Sequence, residues 1–188
     1  MRDLLHPIMP IPKEAKKPSS LKWQIRKSPE LFKNWWTKLD YHSLFFDGPS
    51  KGNSRLSRAG GVIFDPGGIK HKDFTWGLGR STNNQAEWLT LLKRLEIAIT
   101  LGIQDLAVFG DSLLVIREVR TQVRHFKRPS NKMQHIFNSL ISEFMAVHFL
   151  HILCSNNHSA DHMENKGIHI EYGFMACDGN SPDRCWIP

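Results

Sequence analysis

Cysteine is scarce in this chain of 188 residues, which has three, and no two of them stand at the CxxC spacing of a zinc knuckle. They are Cys154, Cys177 and Cys185. Because the number is small and odd, a disulfide framework is not expected and a reducing compartment is favoured. We therefore expect an intracellular protein of the nucleus or the cytoplasm, with import into an organelle left open.

Long apolar runs are also absent. No stretch approaches the roughly 20 apolar residues that a bilayer-spanning helix needs. The first residues lack the apolar core of a secretory signal, and they include an acid, Asp3, and several prolines. We expect no contact with a membrane.

Negative charge is in the minority. Lys and Arg total 25 against 18 for Asp and Glu, which gives a formal net charge of +7. A basic excess favours a polyanionic partner, above all nucleic acid. From charge alone, a basic protein without such a partner is an equally good interpretation.

The first 40 residues are predicted to form a basic extension rich in proline and lysine. Its prolines interrupt any helix over residues 1–30, which favours a solvated tail. They are Pro7, Pro10, Pro12, Pro18 and Pro29. Residues 30–40 are predicted as a short helix or an extended lead-in, with Trp35 and Trp36 packed on the flank of a domain. Phosphate contacts and a protein partner are the alternatives for the extension.

Hydrophobic periodicity then predicts an ordered domain. Strands are predicted over 44–47, 59–65, 72–79, 106–109 and 147–153, and helices over 85–101, 113–123, 132–145 and 159–167. The first three strands are joined by short connections, and alternating helices and strands follow. This order predicts an α/β fold in which a mixed five-stranded sheet is flanked by helices. Beyond Tyr172 the periodicity stops, and a loose tail is expected.

Four acids stand where predicted strands end or predicted helices begin. Asp47 and Asp111 follow strands, whereas Glu87 and Asp161 lie in the first turns of helices. Such positions converge on one side of a sheet, and carboxylates at close range need cations to stay ionised. Oxygen ligands of this kind suit Mg²⁺ or Mn²⁺. Each acid alone is an ordinary turn or helix-terminal charge, but the four together predict a metal site.

Other acids of this region lack that placement and are interpreted as surface charges. They are Asp65, Asp73, Glu96 and Asp105.

Each of the four acids stands in a short motif of its own. They are Phe46-Asp47-Gly48, Thr82-Asn83-Asn84-Gln85-Ala86-Glu87, Gly110-Asp111-Ser112 and Asn157-His158-Ser159-Ala160-Asp161. With these motifs the chain resembles the ribonuclease H type 1 domain, most closely the reverse-transcriptase-like form common in plant genomes and retroelement polyproteins. The resemblance spans residues 41–170, with residues 1–40 as the extension and 171–188 as a C-terminal tail.

The resemblance implies a ribonuclease H-like fold and a Mg²⁺-dependent endoribonuclease that cleaves the RNA strand of RNA–DNA hybrids by a two-metal mechanism. It implies two Mg²⁺ ions, for which Mn²⁺ could substitute, held by Asp47, Glu87, Asp111 and Asp161. His151 stands where the family often has a histidine that assists proton transfer or product release. A histidine satisfied within its strand is the alternative.

The resemblance also implies contacts to the hybrid. The candidate residues are Gly48, Ser50, Asn83, Asn84, Gln85, Lys127 and Arg128. The side chains at 83–85 match positions that contact the minor groove, where the 2′-hydroxyl marks RNA. The basic pair at 127–128 is a candidate for phosphate contacts, with a solvated loop as the alternative.

Three departures from the family pattern leave the four acids intact. Asn53-Ser54-Arg55 replaces the usual Asn-Pro-Gly, Cys154 replaces an arginine of close relatives, and His162-Met163-Glu164 replaces small and apolar residues. They motivate an alternative function. In it, the chain is a catalytically weak or inactive domesticated retroelement domain that binds nucleic acid, or binds a protein through its extension.

Overall fold

A computed structural model of the chain describes residues 22–47, 57–79, 83–125, 132–158, 170–178, 180 and 183–184. For several of these residues, including 47 and 83–87, it describes the backbone alone. The strands are β1 His42–Asp47, β2 Ser57–Phe64, β3 Lys70–Gly79, β4 Asp105–Gly110, β5 Ala146–His151, β6 Phe174–Cys177 and β7 Asp183–Arg184. The helices are α1 Trp23–Lys27, α2 Pro29–Trp36, α3 Asn83–Thr100, α4 Leu113–His125 and α5 Lys132–Ser142, and a 3₁₀ turn spans Cys154–Asn156.

The strands form one mixed sheet in the order β5-β4-β1-β2-β3-β6-β7. β1, β2 and β3 are antiparallel neighbours, and β4 runs parallel to both β1 and β5. The α/β class and the five predicted strands are confirmed, with ends that differ by a few residues. The helix predicted over 159–167 lies outside the described residues.

The predicted number of five strands is wrong, because the C-terminal segment adds two. β6 pairs antiparallel with β3, with Trp76 opposite Met175 and Phe74 opposite Cys177, and β7 pairs with β6. The segment predicted as a loose tail after Tyr172 therefore extends the sheet. β6 is only four residues long, and all four are apolar and half-buried, so it lacks the alternation from which strands are predicted.

Asp73 was predicted as a surface charge and is instead buried, at 6% exposure. The turn after β6 runs beside it, where the Asp178 N–H donates to the Asp73 carbonyl at 3.0 Å and the Asp73 N–H donates to Asp178 Oδ1 at 2.9 Å. The Asp73 carboxylate accepts from Lys70 Nζ at 2.7 Å. Burial raises the pKa of the Asp178 carboxyl, but the Asp73 N–H and the Lys72 ammonium outweigh it and hold that pKa below its ordinary value.

Successive residues of β1 point to opposite faces of the sheet and so contribute to two cores. Leu44 and Phe46 belong to the larger core, which α3, α4 and α5 cover, whereas Phe45 belongs to the smaller core under α2. No helix in the described part of the chain is long and apolar enough to cross a membrane.

The second face of the sheet is covered by the end of the predicted extension. Phe32 and Trp36 of α2 are buried. The centre of the Phe32 ring lies 5.7 Å from that of Phe109, and the centre of the Trp36 ring lies 5.1 Å from that of Phe45. The flank position of Trp36 and the helix alternative for residues 30–40 are thus confirmed.

The tail predicted over residues 1–30 is wrong from residue 22 onwards. Pro29 separates α1 from α2, as predicted for a proline that interrupts a helix, and it also begins α2, because a first-turn residue needs no N–H donor. Ser28 caps the helix by accepting from the Leu31 N–H at 3.3 Å. Residues 1–21 lie outside the described residues.

The packing of α2 on the sheet predicts that truncating Phe32 lowers the free energy of unfolding more than truncating its neighbour Leu31. Phe32→Ala should lower the free energy of unfolding by about 3–5 kcal/mol, because it leaves a cavity between α2 and the sheet. Leu31, which is 50% exposed, serves as the control, and Leu31→Ala should cost less than about 1 kcal/mol. Chemical denaturation measures both values. Equal losses would contradict the packing of α2 on the sheet.

Candidate active site

Two of the four acids leave the sheet side by side. β1 and β4 are parallel neighbours, with Phe46 opposite Gly110. Asp47 is the last residue of β1, and Asp111 directly follows β4. Neighbouring strands lie about 4.8 Å apart, so the main chains at the two acids share one edge of the sheet. The Asp111 side chain is half-buried there, whereas the Asp47 side chain lies outside the described residues.

The next strand along the sheet ends at the same edge. His151 closes β5 opposite Gly110, and its Nε2 lies 3.0 Å from the Asp111 carbonyl oxygen. This is a hydrogen bond when Nε2 carries the proton. The Ile152 N–H donates to the Gly110 carbonyl at 3.0 Å. The end of β5 is therefore bonded to the backbone that presents Asp111.

A buried asparagine joins β1 to the segment that leads to the last acid. Asn157 is 1% exposed, and its Nδ2 donates to the Phe46 carbonyl at 2.8 Å. Phe46 directly precedes Asp47, and Asn157 stands four residues before Asp161. Sequence reasoning included Asn157 in a motif but predicted no role for it.

The first turns of α3 carry the backbone of Glu87 and are held against α4. The next residue, Trp88, donates from its indole Nε1 to Glu118 Oε2 at 3.2 Å, and its ring packs on Phe137 at 5.6 Å. α4 itself begins at Leu113, two residues after Asp111. The start of α3 is thus tied to the helix that follows β4.

A guanidinium is buried behind the end of β1. Arg94 of α3 is 1% exposed, and its Nη2 donates to the Gly60 carbonyl. Gly60 is the residue opposite Asp47 in the β1–β2 pair. The guanidinium carbon lies 5.2 Å from the centre of the Phe46 ring and 5.9 Å from that of Phe74. Sequence reasoning missed this residue, because an arginine on a helix is expected at the surface.

A protein-family model described as reverse transcriptase-like matches residues 45–167, well over half of the chain. The chain belongs to this family. It is 30% identical over 125 residues to ribonuclease HI of Halobacterium salinarum, which is 66% of this chain and 62% of that protein. The chain therefore spans less than two thirds of the length of this curated relative.

Solved structures confirm the ribonuclease H fold. The crystal structure of RNase H1 from Halobacterium salinarum matches with a TM-score of 0.58 at 27% identity, covering 68% of this chain and 96% of that one. The crystal structure of LC11-RNase H1 in complex with RNA/DNA hybrid matches with a TM-score of 0.57 at 27% identity and the same coverages.

For most of the predicted site residues of this reverse transcriptase-like domain, the structure does not describe the side chain. Of the predicted metal ligands, the side chain is described only for Asp111. The residues that lie outside the described side chains are Asp47, Glu87, Asp161, Gly48, Ser50, Asn83, Asn84, Gln85, Lys127 and Arg128. Among the described side chains, no three His, Cys, Asp or Glu residues form a group that could hold a metal. The ligand set and the hybrid contacts stay predictions.

Burial of Arg94 predicts that lysine is a poor replacement. An ammonium is more strongly hydrated than a guanidinium and lacks its flat faces, so Arg94→Lys should lower the free energy of unfolding by about 1–3 kcal/mol. The control is Lys93→Arg on the same helix, where Lys93 Nζ pairs with Glu96 at 2.7 Å and the charge is kept. Urea denaturation compares the two, and an Arg94→Lys variant as stable as the control would contradict the buried placement.

Proposed function

We propose that this chain is a Mg²⁺-dependent endoribonuclease that cleaves the RNA strand of RNA–DNA hybrids. The observation that carries the proposal is the junction of β1 and β4, where Asp47 and Asp111 end adjacent parallel strands at one edge of the sheet. Membership of the reverse transcriptase-like family and the similarity to ribonuclease HI of Halobacterium salinarum support it.

The residues at this edge fit a divalent cation. Asp111 presents a half-buried carboxylate, and within the described residues no hydrogen bond or ion pair reaches its oxygens. A carboxylate at the end of a strand is a suitable ligand for a hard ion. The residues that would hold the metal are Asp47, Glu87, Asp111 and Asp161. When bound, a pair of Mg²⁺ ions supplies an activated water and neutralises charge on the leaving oxygen.

His151 has a second role at this edge of the sheet, besides those of the metal ligands. His151 holds the backbone at Asp111 through the contact of its Nε2 with the carbonyl oxygen, and in the proposed reaction its ring assists proton transfer or product release.

The RNA–DNA hybrid is the proposed substrate. One of the similar structures, LC11-RNase H1, is a complex with RNA/DNA hybrid. In this chain, the side chains at the start of α3, residues 83–85, would read the 2′-hydroxyl in the minor groove. The formal charge of +7 favours phosphate contacts, for which Lys127 and Arg128 are the candidates.

A binding module that does not cut is the second candidate. It is favoured by Cys154, which is exposed and which the resemblance places where close relatives have an arginine. The N-terminal extension is a weaker basis for it, because Phe32 and Trp36 are buried against the sheet and cannot dock a partner.

A cleavage assay with a matched pair of variants separates the two candidates. The purified chain is incubated with a labelled RNA–DNA hybrid and Mg²⁺, beside Asp111→Asn and Asp105→Asn. Asp105 begins β4 and Asp111 directly follows it, so each variant removes one negative charge at an end of this strand. We expect Asp111→Asn to lose cleavage by roughly 100-fold or more, because even residues that only support metal ligands cost 10–100-fold. Asp105→Asn should cut like the wild type.

The contrary result is a wild-type chain that cuts no better than Asp111→Asn. If that chain still binds the hybrid, with an affinity that falls steeply as salt increases, the binding module is the correct function.

A further inference from the structure

The segment that leads from β5 to the last predicted acid is bonded to the ends of both neighbouring acid-bearing strands. At its start, the Ile152 N–H donates to the Gly110 carbonyl at 3.0 Å. At its end, Asn157 Nδ2 donates to the Phe46 carbonyl at 2.8 Å. Gly110 and Phe46 face each other across the β1–β4 pair and directly precede Asp111 and Asp47. The segment therefore spans the junction at which these two acids leave the sheet.

The segment folds back tightly before it reaches Asn157. The Asn156 N–H donates to the Leu153 carbonyl at 2.8 Å, and the Asn157 N–H donates to the Cys154 carbonyl at 2.9 Å. The two adjacent asparagines then make separate contacts. Asn156 Nδ2 donates to the Arg26 carbonyl at the end of α1 at 2.8 Å, while Asn157 reaches the end of β1. The turn is thus held between the N-terminal helices and the sheet.

The contribution of the Asn157 side chain is its hydrogen-bond donor, Nδ2. Its Oδ1 is buried with no hydrogen-bond partner among the described residues, and an unpaired buried acceptor is destabilising. An apolar side chain of similar size, such as leucine, would avoid that cost but would leave the Phe46 carbonyl without this donor. The opposite orientation of the amide would bring two acceptor oxygens together, so the chemistry of the contact fixes Nδ2 towards Phe46.

We propose that Asn157 is a positioning residue that fixes the chain before Asp161 to the end of β1 and thereby sets the affinity of the site for divalent cations. This inference rests on the proposed function. Three residues separate Asn157 from Asp161, so anchoring Asn157 limits how far the Asp161 backbone can move from Asp47. Without the anchor, ordering that segment opposes metal binding, because fixing a flexible chain costs conformational entropy.

The test replaces the donor and measures metal affinity in two ways. Asn157→Leu removes the hydrogen bond at similar size, and Ser155→Ala, at an exposed position of the same turn, is the control. Mg²⁺ titration of hybrid cleavage gives the half-saturating concentration and the maximal rate. Titration calorimetry with Mn²⁺ gives the metal affinity without substrate.

We expect Asn157→Leu to weaken Mn²⁺ binding and to raise the half-saturating Mg²⁺ concentration by about 10-fold or more, the scale of a lost supporting contact at a metal site. The maximal rate at saturating Mg²⁺ should stay within about 3-fold of the wild type, because the ligands themselves are unchanged. Ser155→Ala should match the wild type in both titrations.

Unchanged metal affinity in Asn157→Leu would overturn the inference, even if the variant is less stable, because a purely structural residue gives that result. If Asn157→Leu does not fold, Asn157→Ser is compared in the same two titrations, since a serine keeps a donor but is too short for the contact. The calorimetric arm needs no cleavage. A wild type that binds Mn²⁺ but does not cut would therefore contradict the proposed function, and the Mn²⁺ affinities of the two variants would still decide the role of Asn157.

Discussion

The parallel pairing of β1 with β4 is the constraint on which the rest of the structure depends. Its register places Phe46 opposite Gly110, so the residues that follow, Asp47 and Asp111, leave the sheet together. Two carboxylates at one strand edge repel each other unless cations neutralise them. The pairing thus brings the main chains of two acids to one edge of the sheet.

Side chains from elsewhere in the chain complete the backbone hydrogen bonds at this junction. Strand ends leave carbonyl groups without ladder partners, and buried carbonyls need donors. Asn157 supplies one to Phe46, and the His151 ring lies against the carbonyl of Asp111. Arg94 donates to the carbonyl of Gly60, which lies inside β2 opposite Asp47. The polar side chains around the site therefore stabilise the backbone from which the acids project.

Periodicity and motifs predicted the first five strands and the placement of Asp47 and Asp111 at strand ends, because both are local properties of the sequence. The C-terminal strand β6 was missed because it is short and its four residues show no alternation of apolar and polar side chains. The two short helices around Pro29 were missed because proline interrupts a helix but also begins one. The contact of Asn157 with Phe46 joins residues 111 positions apart, and no local pattern predicts such a bond.

Paramagnetic broadening by Mn²⁺ in an amide NMR spectrum tests most directly whether this strand edge is a divalent-metal site. Substoichiometric Mn²⁺ should broaden the amide signals of Asp47, Glu87, Asp111 and Asp161. The signals of His42 and Ala146, at the opposite ends of β1 and β5, should stay sharp, because the relaxation effect falls steeply with distance. Broadening centred on His42 and Ala146, or none at any of the four acids, would contradict a metal site at the junction of β1 and β4.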